Sequence, residues 1–451
     1  MKYTPHTDED RREMLAAIGV EAIDELFHDV PAQHRFPELA LPAGMSEIEA
    51  RRYFEQMAAR NATLSDHPCF LGAGAYYHYT PAVVPHLLFR GEIYTAYTPY
   101  QPEVAQGTLQ IIYEFQTMMA ELTGMEVANA SMYDGSTALA EAALMAVRVS
   151  RGRRNKLVIS KGVHPEYRHV LATYNHGLDV EEVYLDVDSE SGVTPLASIR
   201  ELVDKNTAAV IIQYPNFFGA IEEVQAVGEI AHEAGALLCV SADPVAIALL
   251  KSPGELGADI VTGEGQSLGI PVWFGGPYVG FFATLEKHVR QMPGRVCGRT
   301  VDTEGRTGYV LTLQAREQHI RREKATSNIC TNEALVATAV TMYLSAVGKG
   351  GLQEVANLCY QRSHYLANEL SKLEGYDLLF SAPFFREFAI RTPVPASELN
   401  RRLWEEHGII GGYDLSRDFP NLRNAWLLTT TEMNAREEID QFVDALREMN
   451  L

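Results

Sequence analysis

Residues 208–243 read AAVIIQYPNFFGAIEEVQAVGEIAHEAGALLCVSAD. The opening run, 208–213, is apolar and of strand length. A helical pattern over 222–234 stops at Gly235, and a second apolar run, 237–241, leads to Asp243. Strand, helix and strand in this order form a crossover. Runs that are apolar on both faces belong to a parallel sheet covered on two sides. The alternation continues outward, with apolar runs at 156–160, 180–185, 258–261 and 279–283. Asp134, Gly135, Ser136 and Thr137 precede a helix so rich in Ala, Leu, Met and Val that it is expected to be buried. The fold class is therefore α/β, a large domain on a mostly parallel sheet.

Ahead of it, Met14, Leu15 and Ile18 share one helical face, and Ile23, Leu26 and Phe27 share another beyond a break near Gly19. A second helix begins at Ser46 with Glu49 three residues on, a capping box. Residues 61–107 are rich in Gly, Pro, Tyr and His, and a loop-rich run this long is often functional. A stripe of Leu109, Ile112, Phe115, Met119 and Leu122 predicts a helix closed by Gly124. Past residue 325 come helical segments 332–347, ending at Gly348, and 352–373. Strand candidates 378–380, 387–390 and 425–428 follow, with helices 397–408 and from Ala435 onward. The expected organisation is a helical N-terminal arm (1–75), a large α/β domain (76–330), and an interdomain helix with a small C-terminal α+β domain (331–451).

The 451 residues carry 38 Lys and Arg against 59 Asp and Glu, a net charge of −21. Nucleic acid and anionic membrane both select basic surfaces, so neither is expected as a partner. No apolar run reaches membrane-spanning length, and the first residues have no apolar core of signal-peptide length. Cys69, Cys239, Cys297, Cys330 and Cys359 are odd in number and scattered. This favours reduced thiols and a cytoplasmic location. Cys239, inside ALLCV, is expected to be a small core residue.

Large α/β and small α+β domains joined by a long helix also form the architecture of the fold type I pyridoxal-phosphate enzymes. That chemistry needs a helix N-terminus for the phosphate, an acidic residue for the pyridine nitrogen and a lysine for the Schiff base. Gly135-Ser136-Thr137 is a candidate for the first, with a plain N-cap as the alternative. Asp243 is a candidate for the second, with a loop carboxylate as the alternative. The third is missing. The region after 258–261 reads TGEGQSLGIPVWFGGP, with Gln266 and Ser267 and no lysine between Lys251 and Lys287. His164 is read as a satisfied loop histidine ahead of an aromatic-stacking one. Neither HExxH nor CxxC is present, so no metal site is expected.

Three strings carry a specific resemblance: YTAYTPYQPEVAQGTLQ (94–110), GRTVDTEGRTGYVLT (298–312) and LQAREQHIRREKATSNICTNEAL (313–335). With MLAAIGVEAIDELFHDVP (14–31) and DGSTALAEA (134–142), the chain resembles the glycine-cleavage-system P-protein family, glycine dehydrogenase (decarboxylating), across nearly its whole length. It is most similar to subunit 1, the α subunit of the two-chain form. The resemblance implies a pyridoxal-phosphate fold type I-like architecture. It implies an enzyme that decarboxylates glycine and passes the aminomethyl group to the lipoyl arm of H-protein. It also implies that pyridoxal phosphate is covalently bound to the partner β subunit and not to this chain, in an α2β2 assembly.

Carried over onto this sequence, the resemblance makes Tyr94, Tyr97, Thr98, Tyr100, Gln101 and Glu103 candidates for shaping the glycine pocket or lipoyl channel at the subunit interface. It makes Thr326, Ser327 and Asn328, with Arg321, Arg322 and Lys324 beside them, candidates for reaching the partner's cofactor phosphate. The alternatives are a loop packed by its own tyrosines and an N-cap cluster. At the level of function, the alternatives are a noncatalytic scaffold subunit and an independent pyridoxal-phosphate decarboxylase or aminotransferase, the latter disfavoured by the missing lysine.

Overall fold

The structure, a computed structural model, describes residues 5–449. The chain divides between Ala62 and Thr63 into two compact units. In the first, Thr7 and Asp10 form a capping box that starts the helix Asp8–Ile18, and Gly19 ends it. The predicted capping box of Ser46 and Glu49 starts the helix Glu47–Ala58. No residue of either helix is buried.

In the second unit, seven strands form one sheet: β1 (Val127–Ala128), β2 (Lys156–Ser160), β3 (Glu181–Leu185), β4 (Thr207–Tyr214), β5 (Leu237–Ala242), β6 (Ile260–Glu264) and β7 (Gly280–Thr284), in the order β1-β7-β6-β5-β4-β2-β3. β3, β2, β4, β5 and β6 run parallel, and β7 and β1 pair antiparallel at one edge. The apolar runs alternate between two cores. Val158, Val210, Ile212, Leu238, Val240 and Val261 point to one, and Leu157, Ile159, Ala209, Ile211, Cys239 and Ile260 to the other. Cys239 is fully buried, as a small core residue should be.

β6 runs on to Glu264, past the predicted end. At Gly263 an added Cβ would meet the Ala242 carbonyl at 2.2 Å, so the close pairing with β5 needs a glycine there. The extension carries the Glu264 side chain to the C-terminal end of the sheet, where open α/β sheets place their ligands.

The helix Ala334–Leu370 is interrupted at Gly348, with φ 62° and ψ −178°, as expected. Its mean hydropathy of 1.3 over the most apolar 18 residues would suit a membrane span. Here Val336, Val340, Tyr343 and Cys359 pack into the main core. The C-terminal sheet is antiparallel, β10 (Asp377–Leu378), β11 (Glu387–Arg391), β13 (Ala425–Thr429) and β12 (Tyr413–Asp414) in spatial order. A hairpin, β8 (Val296–Val301) with β9 (Thr307–Thr312), was not expected from the sequence. It is only partly buried, at Val296, Cys297 and Leu311, and lacks a clean apolar alternation.

Phe70 is fully buried and stacks on Phe442 at 4.1 Å, and the Phe70 amide donates to the Ile410 carbonyl. Residues 63–75 therefore belong to the larger unit.

Candidate functional site

A small cleft opens where β5 and β6 end. It is lined by Gly74, Tyr76, His164, Tyr167, Gln213, Asp243, Glu264, Ser267 and Arg386 among others. Asp243 caps the following turn by accepting the Val245 amide at 2.9 Å. Its other oxygen faces Arg386, with Oδ2 to guanidinium nitrogen at 2.5 Å. Arg386 is 1% exposed. Its guanidinium lies 3.6 Å over the Tyr76 ring and donates to Ser267 Oγ and His78 Nε2. Burial works most strongly against the Arg386 charge, but Asp243 together with Tyr76, Cys359 and Glu387 outweighs it and holds the guanidinium above its ordinary pKa.

At the cleft's other end, the helix Gly135–Val149 begins. Asp134 is its N-cap and accepts from the Thr137 amide and the Ser136 hydroxyl, both at 2.7 Å. The next free donor, the Gly135 amide, goes to Glu264 Oε2 at 3.0 Å. The Gln266 and Val279 amides go to Glu264 Oε1 at 3.0 and 3.1 Å. Burial pushes Glu264 up to about 8 against the pull of these amides. Gly135 thus opens a helix capped by Asp134 and leaves no donor of its own free, which favours the N-cap reading for this chain's own cleft.

Residues 72–79 lie as a strap across the cleft. Gln266 clamps Tyr76 by accepting its amide at 2.8 Å and donating to its carbonyl at 2.9 Å. Glu387 accepts the Ala73 amide and the Tyr76 hydroxyl, both at 2.7 Å, and burial pushes it up to about 7. Gly74, with φ +106°, leaves room for His164, whose Nε2 would lie 2.8 Å from an added Cβ. His164 Nδ1 accepts the Glu166 amide, so Nε2 carries the proton and donates to the Ala73 carbonyl at 2.8 Å. This is the satisfied loop histidine expected, and it also stacks on Tyr167 at 4.9 Å.

What remains open is about 40 Å³. That holds a few waters, whereas small-molecule pockets enclose about 300–1,000 Å³. Pyridoxal phosphate does not fit. Arg386 takes the carboxylate its ring would need, Glu264 takes the first helix amide its phosphate would need, and no lining residue is a lysine. Lys287, the nearest candidate after the gap, pairs with Asp259 at 3.6 Å.

Behind Arg386, His78, Cys359 and Glu432 bring ligand-type atoms within 4.8 Å of one another. They are already matched. His78 Nδ1 donates to Glu432 at 2.7 Å while Nε2 accepts from Arg386, and Cys359 Sγ faces Glu432 at 3.6 Å. Burial holds His78 below its usual pKa and pushes the Cys359 thiol up to about 12. A neutral histidine, a protonated thiol and a neighbouring guanidinium are poor company for a cation.

The tyrosine-rich loop lies elsewhere, and none of its residues lines this cleft. Tyr97 is 86% exposed, Tyr94, Tyr100, Gln101 and Glu103 are exposed, and Thr98 is half-buried. Within the described residues, only Tyr100 of these six makes a side-chain hydrogen bond, accepting from Arg295 at 3.2 Å. Arg295 also donates to Thr331 Oγ1, Asn332 Oδ1 and the Cys330 carbonyl. It therefore ties the loop to the segment that contains the second candidate group. There, Ser327 donates inward to Glu141 at 2.7 Å, the Thr326 amide donates to the Arg316 carbonyl, and Asn328 is exposed.

Arg386, Tyr76, Glu264 and Arg295 were not singled out from the sequence. FREFAI (385–390) does hold a signal, two adjacent charged residues at the head of an otherwise apolar run.

The sequence profile of the glycine cleavage system P-protein family matches residues 1–446. A probable glycine dehydrogenase (decarboxylating) subunit 1 of Brevibacillus brevis is 52% identical over 440 residues, 97% of each chain. Its counterpart in Thermomicrobium roseum is 53% identical over 448 residues, 99% of each. A crystal structure of glycine decarboxylase (P-protein) of the glycine cleavage system, in inhibitor-bound form, is 45% identical and superposes with a TM-score of 0.91 over 99% of this chain and 100% of that one. At 16% identity, a sphingosine-1-phosphate lyase of Burkholderia pseudomallei superposes with a TM-score of 0.67, covering 94% of this chain and 93% of that one. The α/β architecture is the fold type I one read from the sequence, and the chain belongs to the glycine cleavage system P-protein family.

Proposed function

We propose that the chain is the α subunit of a glycine dehydrogenase (decarboxylating). With a β subunit, it releases carbon dioxide from glycine and passes the aminomethyl group to the lipoyl arm of H-protein. Pyridoxal phosphate is held by the β subunit. The observation that carries this reading is a contrast between two regions of the chain. The chain's own cleft is filled by Arg386, Tyr76 and Glu264, while the side chains of Tyr94, Tyr97, Thr98, Gln101 and Glu103 make no hydrogen bond within the described residues.

In this reading the tyrosine loop forms a wall of the partner's site. Its rings displace water and its hydroxyls and amide orient glycine or the incoming lipoyl arm. Thr326, Ser327 and Asn328 approach the partner's cofactor phosphate at the same interface. The assembly is α2β2 and works in the cytoplasm.

The test is glycine decarboxylation by the chain purified together with a lysine-bearing homologue. Tyr97→Ala and Thr98→Ala should lower the rate without separating the subunits. Unchanged rates would leave only a scaffold role. A borohydride-reducible absorbance band in the chain alone would overturn the assignment of the cofactor to the partner.

A further inference from the structure

We infer that this chain carries a built-in occupant of its cofactor cleft, in which the Arg386 guanidinium and the Glu264 carboxyl fill the two ends that pyridoxal phosphate would otherwise bind. The inference goes beyond the glycine reading and does not depend on it, because it concerns what the cleft of this one chain can admit.

Two independent observations support the two ends. At the ring end, a fold type I enzyme sets a carboxylate against a flat cation. Asp243 faces one here at 2.5 Å, and it is the planar guanidinium of Arg386. The guanidinium also lies against an aromatic face, 3.6 Å over Tyr76, as a flat ring would. At the phosphate end, the helix Gly135–Val149 begins with an amide that an anion would take. Glu264 takes it, delivered there because β6 runs on through Gly263. The Gln266 and Val279 amides converge on the same carboxyl, so its oxygens receive a cluster of N–H donors of the kind that cradles phosphate oxygens.

The occupant is held from behind. Arg386 rests on His78, which is itself bonded to Glu432. Tyr76 is clamped by Gln266 and Glu387. To enter, a cofactor would have to leave a buried guanidinium without its carboxylate and strip three amides from Glu264. Each of these steps exposes a buried charge or an unmet donor. The same plug stiffens the strap 72–79 that leads toward the tyrosine loop.

The probe is pyridoxamine 5′-phosphate, which has the ring and the phosphate but no aldehyde to react with surface lysines. Equilibrium dialysis and fluorescence on the full chain should show no saturable binding at millimolar ligand. Arg386→Ala should gain about tenfold or more in affinity, with one ligand per chain. Arg386→Ala combined with Glu264→Ala should gain more, and Asp243→Ala in that background should remove the gain. One ligand bound per wild-type chain, with Arg386 displaced, would overturn the inference, as would a folded double variant that still excludes the ligand. If Arg386→Ala fails to fold, Glu264→Ala with inorganic phosphate replaces it. That variant should gain a phosphate-dependent rise in melting temperature that wild type lacks, and equal responses would refute the plug. Failure here leaves the glycine reading intact, because that reading is tested at Tyr97 in the two-subunit complex. Failure at Tyr97 leaves the plug intact.

Discussion

The cleft at the ends of β5 and β6 and the loop 94–103 are opposites. In the cleft, charged and polar groups find partners inside the chain: Asp243 with Arg386, Glu264 with three amides, Glu387 with Ala73 and Tyr76. In the loop, five of six candidate side chains have no hydrogen-bond partner within the described residues, and Tyr97 stands 86% exposed. The region that resembles a catalytic site by position has spent most of its donors and acceptors on itself, with Arg386 Nε left buried and unpartnered. The region with unspent groups does not touch that cleft. Chemistry needs groups whose partners arrive with the substrate, and in this chain the unpartnered groups lie outside the cleft.

The largest effect that can break this contrast is on stability at Arg386. Arg386→Ala leaves Asp243 beside an emptied cavity with its ion pair gone, and a loss of about 3–5 kcal/mol is expected for a buried pair broken on one side. Urea unfolding checks it, and a loss within the scatter of surface substitutions would mean that the cleft is not internally held.

Next comes pH. Glu264 titrates at about 8 and Glu387 at about 7 in the folded chain, both raised first by burial. Unfolded, both release their protons near pH ~4.3. Between those values the folded chain binds more protons than the unfolded one. Their contribution is therefore full below about pH 4.3 and is lost progressively as pH rises from there to about 7 for Glu387 and about 8 for Glu264. Glu264→Gln should gain on wild type in unfolding free energy between about pH 5 and about pH 9. A difference that does not change with pH would remove Glu264 from this account.

On the loop the expectation reverses. Tyr97→Ala should leave unfolding within about 0.5 kcal/mol of wild type while lowering glycine decarboxylation by the complex about tenfold. A variant that is destabilised and fully active would place Tyr97 among structural residues. The smallest effect is at the loop's one anchored hydroxyl. Tyr100→Phe loses the bond to Arg295 and should cost about 0.5–1 kcal/mol, as the tyrosine is half-exposed and the buried Arg295 keeps its other acceptors. Double-mutant comparison with Arg295→Lys would show whether the two residues act together.

Much of the large domain was legible in the sequence because local patterns report local physics. β2 was read to the residue, and β3, β4, β5 and β7 to within one or two, since short apolar runs between helices have few other solutions. The breaks at Gly19, Gly124, Gly235 and Gly348 were also readable, as helix stops. The β8–β9 hairpin was not, because a partly buried pair with polar residues on both faces has no alternation to read. In the cleft, Asp243 and Gly135 were legible as candidates and the missing lysine as a gap. Arg386 was invisible as a partner for Asp243, because the two are 143 residues apart in sequence and no periodicity links them.

The sequence by itself determined the α/β class, the strands, the helix stops, the absence of a lysine between residues 251 and 287, and, through its long motif strings, the family. Only the tertiary structure decided what became of the cleft. Whether a buried carboxylate meets a cofactor, a metal or an arginine of its own chain depends on which side chain a distant strand delivers. Hydrogen bonds and ion pairs act over a few ångströms whatever the separation along the chain, so β11 could bring Arg386 to Asp243 and β6 could bring Glu264 to the helix without any local sequence pattern announcing it.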